Sequence, residues 1–265
     1  MPALEARGVE LNWSERGEGS PVLLVHETTA TSAAWAPVAG EVARGARAIV
    51  YDRRGWGGSS VPDGYRRTTI EEQSEDAAVL LESLDASPAV VCGAGLGAVI
   101  ALDLLLRRPE LVRGAALIEP PVVALVPEAT EALSADRLAL EEAYRERQSD
   151  GIVGLYLSGA LQVLSAEADR LPTSLTADAR ERPPILFAEL GAAAGWSMPL
   201  VKLAGAEVPS VIVTAPSTPP LIAAAAQALA GRLSASDTRE VETSHGPPHV
   251  GAPGAVAELA LGLAS

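Results

Sequence analysis

The sequence has little cysteine and little histidine. Its 265 residues include one cysteine, Cys92, and three histidines, His26, His245 and His249. A single cysteine cannot form an internal disulfide, which is typical of a reducing compartment. These four residues are too few and too scattered for the spacing of a metal-ligand cluster. We therefore expect a cytoplasmic protein without disulfides and without a bound metal ion.

Positive charge and long apolar runs are also scarce. Twenty Lys and Arg residues stand against 34 Asp and Glu, so the formal net charge is −14 at pH 7. A surface this acidic repels phosphate backbones and anionic lipid, so we expect neither nucleic acid nor a membrane as a partner. The longest apolar run, around residues 99–106, is interrupted by Asp103 and is shorter than the roughly 18 residues of a membrane helix.

The remaining composition is that of a packed globular chain, with 48% hydrophobic and 20% charged residues. Short apolar runs alternate with amphipathic stretches along most of the chain. Strands are predicted at residues 9–13, 21–25, 48–51, 89–92, 114–118, 210–214 and 238–241, and helices at 69–84, 96–107, 220–233 and 253–263. This alternation predicts an α/β fold with a mostly parallel, doubly wound sheet.

The alternation stops between residues 122 and 205. Residues 135–148, 152–164 and 182–196 have helical patterns, and no strand is predicted there. The simplest interpretation is a helical cap insertion at residues 122–205 (hereafter the insertion), which divides the core into residues 1–121 and 206–265. Placed above the carboxyl ends of the strands, it would cover the crevice where α/β sheets bind ligands.

Four short segments follow one another in a matching strand and helix context. His26-Glu27 follows an apolar strand, residues 51–60 read YDRRGWGGSS, residues 93–97 read GAGLG, and residues 244–246 read SHG before the closing helix. In this order they resemble the His-Gly turn, the D-x-R-G-x-G-x-S loop, the G-x-S-x-G nucleophile elbow and the catalytic-histidine loop of the α/β-hydrolase superfamily. The resemblance covers nearly the whole chain and implies the α/β-hydrolase fold.

The elbow has glycine at the nucleophile position. Gly95 is compatible with the sharp turn but supplies no hydroxyl, and its neighbours Ala94 and Leu96 supply none either. A serine-type acyl-enzyme therefore cannot form at this position. Either the natural chain lacks the serine or an engineered replacement removed it, and the other departures from the superfamily pattern favour a natural absence.

A second departure is Glu27, where related proteins usually have glycine. Its carboxylate is either an extra acid or base facing the cavity or a solvated loop group. The resemblance also implies that the backbone N–H groups of Thr28 and Leu96 form the oxyanion hole, since those donors depend on the backbone rather than on side chains.

The third departure concerns the catalytic acid. The segment after the strand of residues 210–214 contains no carboxylate, but Glu119 ends the preceding strand of the sheet. Haloalkane dehalogenases and some other superfamily members place the acid there. The resemblance therefore implies that Glu119 orients His245 through its Nδ1–H. The alternatives are a structural carboxylate at Glu119 and a histidine without a catalytic role at His245.

Other residues are candidates for the wall of a binding cavity. Large aromatic residues are scarce, and aromatic rings and histidines are common in such walls. We list as substrate-binding candidates His26, Trp56, Tyr156, Trp196 and His249, with packing in the core as the alternative for each. Asp52 and Arg53 are predicted to hold loops together by hydrogen bonds.

Three hypotheses for the function remain open. In the first, His245 acts as general base on a water or substrate hydroxyl beside Gly95, with Glu119 as its partner and Glu27 as a tentative further acid or base. This gives hydrolysis, elimination or cyclisation of a small apolar molecule. The second is a catalytically inactive binding protein, and the third is an ordinary esterase-like hydrolase whose serine was replaced by Gly95. A His245–Glu119 distance of about 2.6–3.2 Å would favour the first over the second.

No organic cofactor is expected. The segment GAGLG is too short for the dinucleotide pattern G-x-G-x-x-G, the acid about 20 residues further on is missing, and no phosphate-binding G-x-x-x-x-G-K-[ST] is present. The expected partner is a small molecule, and a homodimer is left open.

Overall fold

Within residues 3–62, 64–165 and 168–265, which the computed structural model describes, eight strands form one sheet. They are β1 (Ala3–Ala6), β2 (Val9–Arg16), β3 (Pro21–Val25), β4 (Arg47–Tyr51), β5 (Ala89–Ala94), β6 (Val112–Ile118), β7 (Ser210–Thr214) and β8 (Ser236–Glu240). Their order is β1-β2-β4-β3-β5-β6-β7-β8. Strand β2 is antiparallel to β1 and β4, and the other neighbours are parallel. The predicted mostly parallel sheet is confirmed.

Helices cover both faces of this sheet. They are α1 (Ala36–Val42), α2 (Ile70–Ser83), α3 (Leu96–Arg107), α4 (Ala129–Leu157), α5 (Ala177–Glu181), α6 (Pro183–Gly195), α7 (Leu200–Ala204), α8 (Pro220–Ala230), α9 (Pro248–Gly251) and α10 (Pro253–Ala264). Alternate residues of β3 point to opposite faces. Leu23 and Val25 pack in one buried cluster with α2, α3 and α8, while Val22 and Leu24 pack in another with α1 and α10.

Two predicted helices of the insertion have different ends in the structure. Helix α4 is interrupted at Gln148 (φ 55°, ψ −142°), where the first predicted helix ends, but its second part stops at Leu157 rather than at residue 164. The reason is the buried carboxylate of Asp136. It accepts hydrogen bonds from the backbone N–H groups of Gln162, Val163 and Leu164 at 2.7–3.0 Å, which holds this segment as a turn.

Some short elements were not predicted. Strand β1 has only four residues at the sheet edge, too few for a readable alternation, and α1 has seven residues and contains Pro37 in its first turn. The described residues between β6 and β7 form helices and turns and no strand. The boundaries 1–121, 122–205 and 206–265 remain predictions. In the described part of the chain, no helix combines the length and apolarity needed to cross a bilayer.

The side chain of Arg53, which follows β4, connects three parts of the fold. Its guanidinium donates to the carbonyl oxygens of His26 (2.9 Å) and Glu27 (3.0 Å) in the turn after β3. It also donates to Gln73 of α2 and forms a buried ion pair with Glu189 of α6, in the insertion. Arg53 and Glu189 are almost completely buried. One guanidinium therefore fixes the turn after β3 relative to both α2 and the insertion.

Asp52 holds the neighbouring loop in a similar way. Its carboxylate accepts hydrogen bonds from the backbone N–H groups of Ser32 and Gly58, both at 2.8 Å, and from the side-chain amide of Asn12 at 2.6 Å. Asp52 and Arg53 thus act on loop conformation, in agreement with the sequence prediction.

The ring of His26 belongs to this loop network and not to a binding surface. Its Nδ1–H donates to the Glu27 carbonyl at 2.8 Å, and its Nε2 accepts from the Arg53 backbone N–H at 2.9 Å. These two contacts require the neutral ring. Burial, reinforced by the charge of Arg53, lowers the pKa of His26 to about 4. The prediction that His26 binds substrate is wrong, because the ring is fully buried and both nitrogens are engaged internally.

The first prediction concerns stability in acid. The unfolded chain protonates His26 below its ordinary pKa of about 6.5, whereas the folded chain keeps it neutral to about pH 4. The contribution of His26 to stability is therefore complete above pH 6.5 and is lost as the pH falls to 4, by about 3 kcal/mol. Replacing His26 by Gln should make the free energy of unfolding, measured in urea, less dependent on pH between 6.5 and 4. His245→Gln, at an exposed histidine, is the control, and equal pH dependence in both variants would contradict the assignment.

The second prediction concerns the Arg53–Glu189 ion pair. Glu189→Gln leaves the Arg53 guanidinium buried without its counter-ion, so we expect the free energy of unfolding to fall by about 3–5 kcal/mol. The matched control is Glu41→Gln, which breaks the exposed Arg44–Glu41 pair and should cost no more than about 1 kcal/mol. Similar small losses in the two variants would show that Arg53 does not connect the insertion to the core.

Candidate functional site

The turn between β5 and α3 has the shape of a nucleophile elbow. Gly95 has φ 52° and ψ −123°, a left-handed conformation that favours glycine, and its N–H donates to the Ile118 carbonyl at 3.0 Å. A Cβ on Gly97 would lie 2.2 Å from the Val25 carbonyl oxygen, so the start of α3 packs directly on the backbone of β3. Gly95 stands at the apex of this turn and presents no side chain.

A cavity of about 120 Å³ lies between the core and the insertion. The core contributes Thr28 and Leu96 to its wall, and the insertion contributes Tyr156, Leu190 and Trp196 among others. Because Leu96 is the first residue of α3, its N–H has no acceptor within the helix. The two residues predicted as oxyanion donors thus belong to the wall of one mainly apolar cavity.

Glu119 is at the edge of the same cavity, directly after β6. Its φ of 46° is uncommon for a residue other than glycine and costs of the order of 1–3 kcal/mol. The buried carboxylate accepts two hydrogen bonds from Arg170, at 2.6 and 2.9 Å, and one from the Thr218 hydroxyl at 2.6 Å. Charge-assisted hydrogen bonds from both neighbours thus fix the position of the Glu119 carboxylate.

His245 does not form the predicted contact with Glu119. Its ring is exposed, and Nδ1 is hydrogen-bonded to the neighbouring Ser244 hydroxyl at 2.8 Å. Within the described residues no hydrogen bond joins His245 to Glu119. The reason is Arg170 of the insertion, which makes two parallel bonds to the carboxylate and lies 3.4 Å from the Gly246 carbonyl oxygen. The predicted dyad is therefore corrected to a Glu119–Arg170 ion pair.

A different histidine and glutamate are paired. Nε2–H of His249 donates to Glu27 at 3.0 Å, and both side chains are buried. Burial raises the pKa of Glu27, but the charge and hydrogen bond of His249 outweigh it, and the pKa lies below its ordinary value. The His249 ring packs against Trp35 with 4.9 Å between ring centroids. The solvated-loop interpretation of Glu27 is wrong, and neither Glu27 nor His249 is among the residues that line the cavity.

The aromatic candidates divide between the cavity and the core. Tyr156 and Trp196 line the cavity, and the Trp196 indole N–H donates to Asp103 at 2.9 Å. Trp56 is fully buried in a hydrophobic cluster with Ile152, Tyr156 and other residues of the insertion. Its prediction as a binding residue is therefore corrected to a packing role.

In the described part of the chain, no three His, Cys, Asp or Glu side chains are grouped as ligands for one metal ion.

Sequence reasoning missed Arg170 and the Glu27–His249 pair. Arg170 is in a short helical turn, Ala168–Arg170, without a recognisable motif. Glu27 and His249 are separated by 222 positions, so no local spacing could connect them. The only available signal was the unusual glutamate at a position where relatives usually carry glycine.

Comparison with known proteins identifies the family. Residues 22–259 match the alpha/beta hydrolase family. The uncharacterized hydrolase YraK of Bacillus subtilis is 36% identical over 109 residues, 41% of this chain and 40% of that protein. The putative non-heme bromoperoxidase BpoC of Mycobacterium tuberculosis is 35% identical over 111 residues, 41% of each chain. The matched segments thus span about two fifths of the length of these relatives.

A solved structure matches over the whole fold. It is described as "Est816 as an N-Acyl homoserine lactone degrading enzyme", and it superposes with a TM-score of 0.72 at 23% identity, covering 98% of this chain and 99% of that one. This likeness shows the fold. Together with the family match over most of the chain, it means that the protein has the predicted α/β-hydrolase fold and belongs to the alpha/beta hydrolase family.

Proposed function

We propose that this chain binds a small, mostly apolar molecule in its cavity and does not form an acyl-enzyme. The observation that carries the proposal is the separation of the three positions needed for nucleophilic catalysis. Gly95 offers no nucleophile, Glu119 is bonded to Arg170 and Thr218, and His245 is exposed and bonded to Ser244. A hydrolase of this fold needs these groups linked in one hydrogen-bonded chain.

The size and lining of the cavity support a small ligand. Its volume of about 120 Å³ is close to that of an engineered apolar cavity of about 150 Å³ that binds benzene. A molecule with one ring or a short acyl chain fits such a space, with the side chains of the insertion forming its outer wall.

The ligand's polar end is assigned to the core side of the cavity. The backbone N–H groups of Thr28 and Leu96 would donate to a carbonyl or hydroxyl oxygen of the ligand. In this arrangement the oxyanion hole of the fold acts as a binding site for a neutral oxygen. The support is that both residues are in the cavity wall and that Leu96 begins α3.

A second candidate is serine-free catalysis with His245 as general base and Glu119 as its partner. One observation favours it. The Arg170 guanidinium contacts both the Glu119 carboxylate and the Gly246 carbonyl oxygen, so it lies between Glu119 and the loop that carries His245. Displacement of Arg170 together with the insertion would allow His245 to approach Glu119. Water or a substrate hydroxyl beside Gly95 would then be deprotonated, for hydrolysis or for lyase-type chemistry.

The third prediction separates these two candidates. Wild type, Gly95→Ser and His245→Ala are assayed with activated aryl esters and lactones, the latter chosen because a structural relative is described as degrading them. We expect no turnover by wild type above that of His245→Ala, because neither a nucleophile nor an oriented base is present. Wild-type turnover that disappears in His245→Ala would contradict the binding role and establish the second candidate. Strong esterase activity only in Gly95→Ser would show that His245 and Glu119 can activate a serine, which would contradict their separation in the structure.

The fourth prediction tests the cavity as the binding site. Ala193 of α6 lines the cavity, so Ala193→Phe should fill it and abolish ligand-induced stabilisation in thermal unfolding. The matched control is Gly191→Ala on the same helix, where an added methyl group meets no atom within 4 Å. A ligand present at 100 times its Kd should stabilise the control by about 2.7 kcal/mol. Equal stabilisation of both variants would place the ligand elsewhere.

A further inference from the structure

We propose that the cavity selects uncharged ligands, and that Glu119 enforces this selection by neutralising Arg170. The inference rests on the proposed binding function and concerns the same cavity. Among the residues that the structure describes, three with charged side chains, Glu119, Arg170 and Glu189, belong to its wall, which is otherwise mainly apolar. The charge that a ligand meets is therefore set by the partners of these three groups.

Each of the three charges is paired within the protein. Arg170 and Glu119 form two parallel hydrogen bonds at 2.6 and 2.9 Å, with the Arg170 side chain 13% and the Glu119 side chain 3% exposed. Glu189 is bonded to Arg53 in the buried ion pair that connects α6 to the core. The described part of the cavity wall is thus polar at these three points, and each of the three charges has a counter-ion within the protein.

A charged ligand would lose its hydration without gaining a counter-ion. A carboxylate could reach Arg170 only by displacing Glu119, which would leave the buried Glu119 carboxylate without its guanidinium partner. A cation would meet Glu119 with its oxygens already bonded to Arg170 and Thr218. Burying an unpaired charge is much more costly than burying a hydrogen-bonded neutral group.

The ligand class that fits is an apolar body of about one ring with one neutral oxygen group. A ketone, ester, lactone, amide or alcohol meets this description, because its oxygen can accept from backbone N–H groups without bringing a charge. Glu119 is therefore a specificity-determining residue that acts through Arg170.

The test uses three probes of similar size and different charge: benzyl alcohol, benzoate and benzylammonium. Their Kd values are measured by calorimetry for wild type, Glu119→Gln, Arg170→Met and the double variant, after each melting curve has shown that the protein is folded. We expect wild type to bind benzyl alcohol at least tenfold more tightly than either ion. Glu119→Gln should gain at least tenfold affinity for benzoate, because Arg170 loses its counter-ion. Arg170→Met should gain similarly for benzylammonium, and the double variant should return to the wild-type ranking.

Two results would overturn the inference in distinguishable ways. Wild-type binding of benzoate as tight as that of benzyl alcohol would overturn it and leave the proposed binding function in place. Failure of all three probes to bind any of the four proteins would overturn the binding function and this inference with it. If one single variant does not fold, the test uses the other single variant and the double variant. The affinity for one ion must then rise in the single variant, and this rise must be absent in the double variant.

Discussion

The buried guanidinium of Arg53 is the contact on which the rest of the site depends. It holds the carbonyl oxygens of His26 and Glu27 from one side and the carboxylate of Glu189 from the other. Thr28, whose N–H faces the cavity in the proposed binding mode, directly follows these two carbonyls in the chain. The wall contributed by α6 includes Glu189 itself. The core side and the insertion side of the cavity are therefore positioned by one side chain, and the neutral ring of His26 completes the same turn.

The fold follows from local patterns, and this explains why most of it could be predicted. Strands such as β3 and β5 are short apolar runs with a helix after them, and Thr69 caps α2 by accepting from the Glu72 N–H. These features involve residues close in sequence. Strand β1 and helix α1, which were not predicted, have only four and seven residues, too few for a visible periodicity.

The positions of the site residues could be predicted in part, but the pairing of their side chains could not. The motifs correctly placed Gly95 at a sharp turn, and the structure brings Thr28, Leu96 and Glu119 to one cavity. They did not give the partner of Glu119, because a carboxylate at a strand end accepts from whichever donor the folded chain brings nearest. That donor is Arg170, from a segment with no motif. The same limit applies to Glu27, whose burial against His249 depends on the packing of the last helices on the sheet.

In a nucleophile elbow the backbone forms the turn and the side chain supplies the nucleophile, and at Gly95 only the nucleophile is missing. The turn at Gly95 and the start of α3 at Leu96 depend on backbone geometry and on the close contact between Gly97 and β3. In the proposed binding mode, the donors at Thr28 and Leu96 do not depend on a nucleophile, because they are backbone groups. Covalent catalysis requires a hydroxyl and an oriented imidazole in addition. With Glu119 bound by Arg170, the buried carboxylate is stable without histidine. The proposed binding role therefore needs only backbone donors and paired charges, whereas catalysis by His245 would require breaking the Glu119–Arg170 ion pair.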